Sequence, residues 1–142
     1  MQLGTQTASL VNHLQSRAVV GQPEPVVGMG VTLLAWTDRD AGTIQRVFKV
    51  GKSTLIEVTR DDAELISGST MSEDQEWKFT PNPEGSRYVF RMADSGMWEE
   101  VIQAVTYDDD GNRKVSTRWS KRRGGGYGLR IGERDKYRDP CF

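Results

Sequence analysis

Residues 30–59 read GVTLLAWTDRDAGTIQRVFKVGKSTLIEVT. Val, Ile, Thr, Leu and Phe crowd three runs, GVTLLAWT (30–37), AGTIQRVFK (41–49) and STLIEVT (53–59). The separators DRD and VGK carry turn chemistry, so the stretch predicts three strands in a tight antiparallel meander. Working outward, QEWKFT (75–80) and SRYVFRM (86–92) flank NPEG, a good type I turn. MWEEVIQAVTY (97–107) and RKVSTRW (113–119) flank DDDGN, a strong hairpin signal, and YGLRI (127–131) supplies a last strand. Short strands at this spacing predict a mainly β fold, a small antiparallel barrel or a curled sheet.

The rest of the chain frames that core. In QTASLVNHLQSR (6–17), Leu10, Val11 and Leu14 stand at helical spacing, which predicts one short N-terminal helix within residues 1–20. GQPEP opens a stiff, extended linker over 21–29, because each proline disfavours helix in the residue before it. The β core then runs over 30–119, a basic glycine-rich loop over 120–126, and a C-terminal strand and tail over 127–142, all in one domain of residues 1–142. Residues 63–74, AELISGSTMSED, read as a polar excursion between strands. With a glycine entering its first strand and a long second strand, the meander of 30–59 resembles that of SH3-like barrels.

Composition narrows the function classes. At 36% hydrophobic and 27% charged, the 142 residues can fill one modest core. No window reaches the roughly 18 apolar residues of a membrane span, and the N-terminus lacks the basic-then-apolar pattern of a secretion signal. A cytoplasmic protein without membrane contact is expected. One cysteine, Cys141, and one histidine, His13, leave no internal disulfide and no zinc set of the usual kind, so neither metal nor cofactor is expected. The net charge of −1 hides an asymmetry: residues 1–112 hold nine basic and seventeen acidic side chains, residues 113–142 ten basic and three acidic. Such a split marks an anionic partner, or two halves that neutralise one another within one fold.

Motifs for catalysis are incomplete. GKST (51–54) resembles the end of a phosphate-binding loop, but position 46 is Arg46 where that loop needs glycine, and TLIEVT reads as strand where it needs helix. DDDGN lacks the glutamate that closes a calcium loop, since Thr117 stands at the twelfth position. Asp38, Asp40, Asp61, Asp62 and Glu64 near strand ends could supply acid–base groups at a barrel mouth, although exposed turn carboxylates are ordinary surface. Cys141 at the terminus and His13 make a poor nucleophile and base. A non-enzymatic role is expected.

Binding chemistry is better represented. WTDRDAG (36–42) sets an aromatic plate beside a guanidinium, which can stack a base and hold a phosphate; the plainer reading buries Trp36 and solvates Arg39 or pairs it with Asp40. In KRRGGGYGLRIGERDKYRDPCF (121–142), glycine and arginine do not repeat as in a disordered arm. Leu129 and Ile131 alternate with Arg130 as a strand does, and Tyr137, Pro140 and Phe142 can anchor the end. Arginines held on a frame recognise phosphate or carboxylate bidentately. Equally, they can pair with the acidic residues of 97–101 and 108–110. The candidate ligand-binding residues are therefore Trp36, Arg39, Tyr127, Arg130, Arg134 and Tyr137.

Four stretches, GTQTASLVNHL, VGMGVTLLAWTDRDAGTI, TMSEDQEWKFTPNPEGSRYVFRM and GYGLRIGERDKYRDPCF, resemble a group of short, uncharacterised proteins carried by phages and prophages. The likeness is strongest in WTDRDAGTI and GLRIGERDKY, and it carries no catalytic residue. It implies a mobile-element setting, in which proteins of this size commonly sequester a host signal, block a defence protein or bind nucleic acid. The leading expectation is a module that captures a phosphate-bearing ligand: a nucleotide, a cyclic-nucleotide signal or nucleic acid. The alternatives are a protein-binding inhibitor of a host defence protein, with the Trp77 and Trp98 region as a hot spot, and a carboxylate-dependent hydrolase. A homo-oligomer is expected, because strand-rich domains cover their edges.

Overall fold

The computed structural model describes residues 21–72, 74–124 and 126–138. The expected N-terminal helix, and the anchoring by Pro140 and Phe142, lie outside them. Nine strands are present among the described residues: β1 (Gly30–Leu34), β2 (Arg39–Val50), β3 (Ser53–Arg60), β4 (Asp62–Gly68), β5 (Gln75–Thr80), β6 (Arg87–Met92), β7 (Trp98–Tyr107), β8 (Arg113–Lys121) and β9 (Gly128–Ile131). Seven form an antiparallel sheet in the order β8-β7-β6-β3-β2-β1-β9, and β4 pairs with β5 alone.

The meander of 30–59 forms as its pattern predicts, with β1, β2 and β3 side by side. Its first strand stops three residues early, because Ala35 N donates to Asp38 O and closes a turn over 35–38. The GKST stretch is the β2–β3 hairpin: Val50 faces Ser53 and Gly51 takes φ 60, the conformation such a two-residue turn asks of its first central position. Asp108 caps the β7–β8 hairpin by accepting from Asn112 N at 2.8 Å and Asp110 N at 3.0 Å. These bonds to the ionised form, first those from Asn112, hold the Asp108 carboxyl below its ordinary value. The hairpin bonds are therefore lost as pH falls through that lowered value, and the protection of the Asn112 amide, its exchange relative to a free chain at the same pH, should fall there while the sheet amides stay protected.

Residues 63–68, expected in the polar excursion of 63–74, belong instead to strand β4. The strands flanking NPEG turn at Asn82–Gly85, where Gly85 N donates to Asn82 O, yet do not pair: β5 joins β4, and β6 lies between β3 and β7. The sheet curls, with Tyr127 N donating to Glu100 Oε1 of β7 at 3.0 Å, but it does not close into a barrel. Gln22 covers the free edge of β9 with its side-chain amide, donating to Leu129 O and accepting from Ile131 N. This caps an edge that would otherwise invite another strand.

Alternation gives the sheet two faces. The inner, concave face carries the main core of Val31, Leu33, Ile44, Ile56, Val58, Phe90, Trp98, Leu129 and Ile131. Trp98 thus belongs to the core and not to a surface hot spot. The outer face has a smaller apolar layer, fully buried Leu55 and buried Val101, near which the Phe48 and Trp119 rings approach to 6.2 Å.

Candidate functional site

The six predicted residues fall into two places. Arg39, Arg130, Arg134 and Tyr137 gather where the C-terminal segment crosses the outer face of β1 and β2. Gly132, at φ 98, turns the chain after β9 and donates to Gly30 O. Glu133 O then accepts from Thr32 Oγ1 at 2.7 Å. Tyr137 and Arg39 exchange backbone hydrogen bonds of 2.9 and 2.8 Å, which pins the far end. The segment is a strap on a rigid frame.

Arg39, Arg130 and Arg134 each meet a carboxylate of the protein itself. Arg134 Nε donates to Asp61 Oδ2 at 2.8 Å and its Nη2 to Thr43 Oγ1 at 2.9 Å. Thr43 Oγ1 donates in turn to Asp61 Oδ1 at 2.7 Å. Arg134 also lies against Gly30, where a Cβ would meet its Cγ at 2.7 Å, so any larger residue there must displace the Arg134 side chain. Arg39 pairs with Asp135 at 2.8 Å and stands 5.6 Å from the Tyr137 ring centre. Burial lowers its guanidinium pKa, against the opposing pull of Asp135. Arg130 approaches Glu133 at 3.7 Å. These partners are Asp61, Glu133 and Asp135, whereas the acids of 97–101 pair with other cations: Glu99 with Arg91 and Lys121, Glu100 with Arg122.

The strap also ties the two sheets. Lys136 Nζ donates to Asp40 Oδ1 and sits 5.1 Å from the Trp77 ring centre. Gln75 clasps Arg138 with its Nε2 to Arg138 O at 2.9 Å and its Oε1 to Arg138 N at 3.2 Å. Two of the five carboxylates weighed for acid–base chemistry are paired here: Asp61 with Arg134, and Asp40 with Lys136 and Arg60.

Trp36 and Tyr127 line a different feature, a cleft of about 450 Å³ between the 35–38 turn, the β6–β7 turn and the glycine-rich loop. Trp36 sits on its turn, 60% exposed. Glu99, Lys121 and Arg122 line the cleft as well, and Gly124, Gly126 and Gly128 add lining without side chains. Trp98 and Glu100 lie at the buried end, and the Trp98 Nε1–H is buried with no hydrogen-bond partner. Arg122 Nη1 donates to Glu100 Oε2 at 3.1 Å, so the buried carboxylate is compensated. Sequence reading found Trp36 and Tyr127 but missed Lys121, Arg122, Trp98 and Glu100. The basic run KRRGGG was the available signal.

Tyr127 connects the cleft to the core. Its hydroxyl accepts from Arg60 Nη2 at 2.8 Å, and its ring meets Tyr88 edge-on at 5.2 Å. Burial raises the phenol above its ordinary value, with Arg60 opposing. Burial also draws the Arg60 guanidinium down, but Asp40 with Tyr127 and Tyr88 outweighs it and the net shift is upward. A raised phenol pKa means that the fold favours the protonated form. Its contribution to stability is whole below the unfolded tyrosine value of about 10 and is lost as pH rises through the folded value. Tyr127→Phe should flatten the alkaline limb of the stability–pH curve and remove the late-titrating phenol from the absorbance titration.

Among the described residues, no group of three or more His, Cys, Asp or Glu is placed to hold a metal ion, and no helix is long and apolar enough to cross a membrane. No protein-family model, curated protein or solved structure matches this chain.

Proposed function

We propose that the protein is a binding module that holds a phosphate-bearing ligand of nucleotide size in the cleft between the 35–38 turn and the glycine-rich loop. The observation that carries this reading is the cleft's make-up: about 450 Å³, lined by an exposed tryptophan and by Lys121 and Arg122. That volume lies within the roughly 300–1,000 Å³ of small-molecule sites. Trp36 stacks the base, and the phosphate meets Lys121, which holds Glu99 only at 3.9 Å, while Arg122 stays on Glu100. Arg39, Arg130 and Arg134 act as the frame behind the site. A nucleotide or cyclic-nucleotide signal is the ligand class, and the likeness to phage and prophage proteins makes sequestration of a host signal its use. The β8 edge, with no strand on its outer side among the described residues, supports self-association.

A second reading, inhibition of a host protein, draws support from the β7–β8 ribbon. Val105 and Val115 face one another there, 42% and 46% exposed, beside Tyr107 at 68%. Exposed apolar groups on such a ribbon suit a protein contact.

Thermal-shift and tryptophan-fluorescence titrations with nucleotides, cyclic nucleotides and cyclic dinucleotides test the first reading. Binding should raise the melting temperature, and Trp36→Ala and Lys121→Ala should each weaken it about tenfold. Both side chains are mostly exposed, at 60% for Trp36 and 72% for Lys121, so the unliganded melt should not move. No shift with any compound, together with capture of one host protein that Tyr107→Asp abolishes, would replace it with the second.

A further inference from the structure

Beyond the strap, the outer face of the sheet has its own chemistry, and it meets the rim of the cleft at Glu99 and Lys121. Pairing registers set residues of four and five strands in rows across it. One row runs Phe48, Leu55, Arg91, Glu99, and the next Arg46, Glu57, Val89, Val101, Lys121. Its cations outnumber its acids. Glu57 serves both Arg46, at 3.6 Å, and Arg87, at 2.7 Å. Glu99 serves both Arg91, at 2.9 Å, and Lys121, at 3.9 Å. Two carboxylates against four cations leave this set with a surplus of two positive charges, and exposed Arg118 adds a third.

Aromatic rings lie among these cations. The Arg46 guanidinium sits 4.1 Å from the Phe48 ring centre, and Phe48 and Trp119 are 6.2 Å apart at an interplanar angle of 57°. A hollow of about 250 Å³ opens beside them, bordered by Val50, Ser53, Leu55, Arg91, Arg118 and Trp119. Arg91 is braced under it by Nη1 to Trp119 O at 3.0 Å. Both rings are half-buried.

We propose that this face is a second binding surface, for single-stranded nucleic acid: one base enters the hollow against Trp119, and Arg46, Arg87 and Arg118 follow the phosphates. A positive groove with aromatic platforms is how single strands are held without sequence readout. An acidic peptide would satisfy the charge but not use the rings. A duplex hides its base faces. The overall charge of −1 confines attraction to this face, which makes binding modest and strongly salt-dependent.

Fluorescence anisotropy with labelled twelve-residue oligo(dT) and oligo(U) tests it, with the matching duplex and poly-glutamate as competitors. Single strands should bind, and affinity should fall with salt at a log–log slope of about −2, as expected for about three neutralised phosphates. Arg118→Glu, at an exposed position, should weaken binding about tenfold with an unchanged melt, and Trp119→Ala should do so with a lower melt. Trp119→Phe should restore part of the affinity. Trp36→Ala should leave oligonucleotide affinity intact, which separates this surface from the cleft. Absence of binding at low salt, competition by duplex or poly-glutamate as strong as by single strand, or indifference to Arg118→Glu would overturn the proposal.

Discussion

Asp61→Ala should lower the unfolding free energy by about 3 kcal/mol, enough to move the melting temperature by about 10 °C. Asp61 has a fully buried side chain, and it answers two donors, Arg134 Nε and Thr43 Oγ1. Removing it leaves a guanidinium facing a buried hydroxyl with no anion between them. The cost stays at the low end for a broken buried pair, because the Arg134 side chain retains 30% exposure. Asp61→Asn keeps the shape and an acceptor for Thr43 but loses the charge, so its melt should lie between wild type and alanine. Chemical denaturation checks the order. An alanine variant as stable as wild type would mean that the strap contributes nothing to holding β1, β2 and β3 together.

Phe90→Ala should cost about 4 kcal/mol. Phe90 is completely buried on the inner face and is the largest of the fully buried side chains. It packs in one cluster with Ile56, Val58 and Trp98, whose strands already pair and cannot easily collapse into the space it leaves. The two substitutions act on opposite faces of the sheet and share no hydrogen-bond partner, so their effects should add. The sum, about 7 kcal/mol, is comparable with the whole stability of a domain this size, and the double variant should be unfolded at room temperature. Circular dichroism and the denaturation midpoint decide it. A folded double variant with less than additive loss would mean that the two layers are one cooperative unit.

How far the sequence led depended on whether an element's residues carried their own pattern. The meander was legible because its strands are runs rich in Val, Ile, Thr, Leu and Phe set between short turns, several of them buried on both faces, and because Gly51 and the 108–112 turn have unambiguous chemistry. β4 was not, since DAELISG is exposed on both faces apart from half-buried Leu65, and a strand solvated on both sides has no period to read. The pairing of β5 with β4, instead of β6, follows from partners and not from the turn at NPEG. Arginines at 130 and 134 were legible as held on a frame. Their partners were not, because Arg134 lies 73 residues from Asp61 and 91 from Thr43, and charge counts do not say which carboxylate a guanidinium will meet.

The amino-acid order by itself determined a β meander, its hairpins, the alternation of Leu129 and Ile131 with Arg130, and a basic C-terminal quarter. These depend on residues within a few positions of one another, where side-chain alternation and turn geometry act. Tertiary structure alone decided what the charges do. Crossing the strap over β1 and β2 neutralised Arg134 and Arg39 inside the fold, and curling the sheet brought Trp36, Lys121 and Arg122 to one cleft. Electrostatic and stacking interactions reach only a few ångströms through water, so their partners are chosen by how distant strands are folded together.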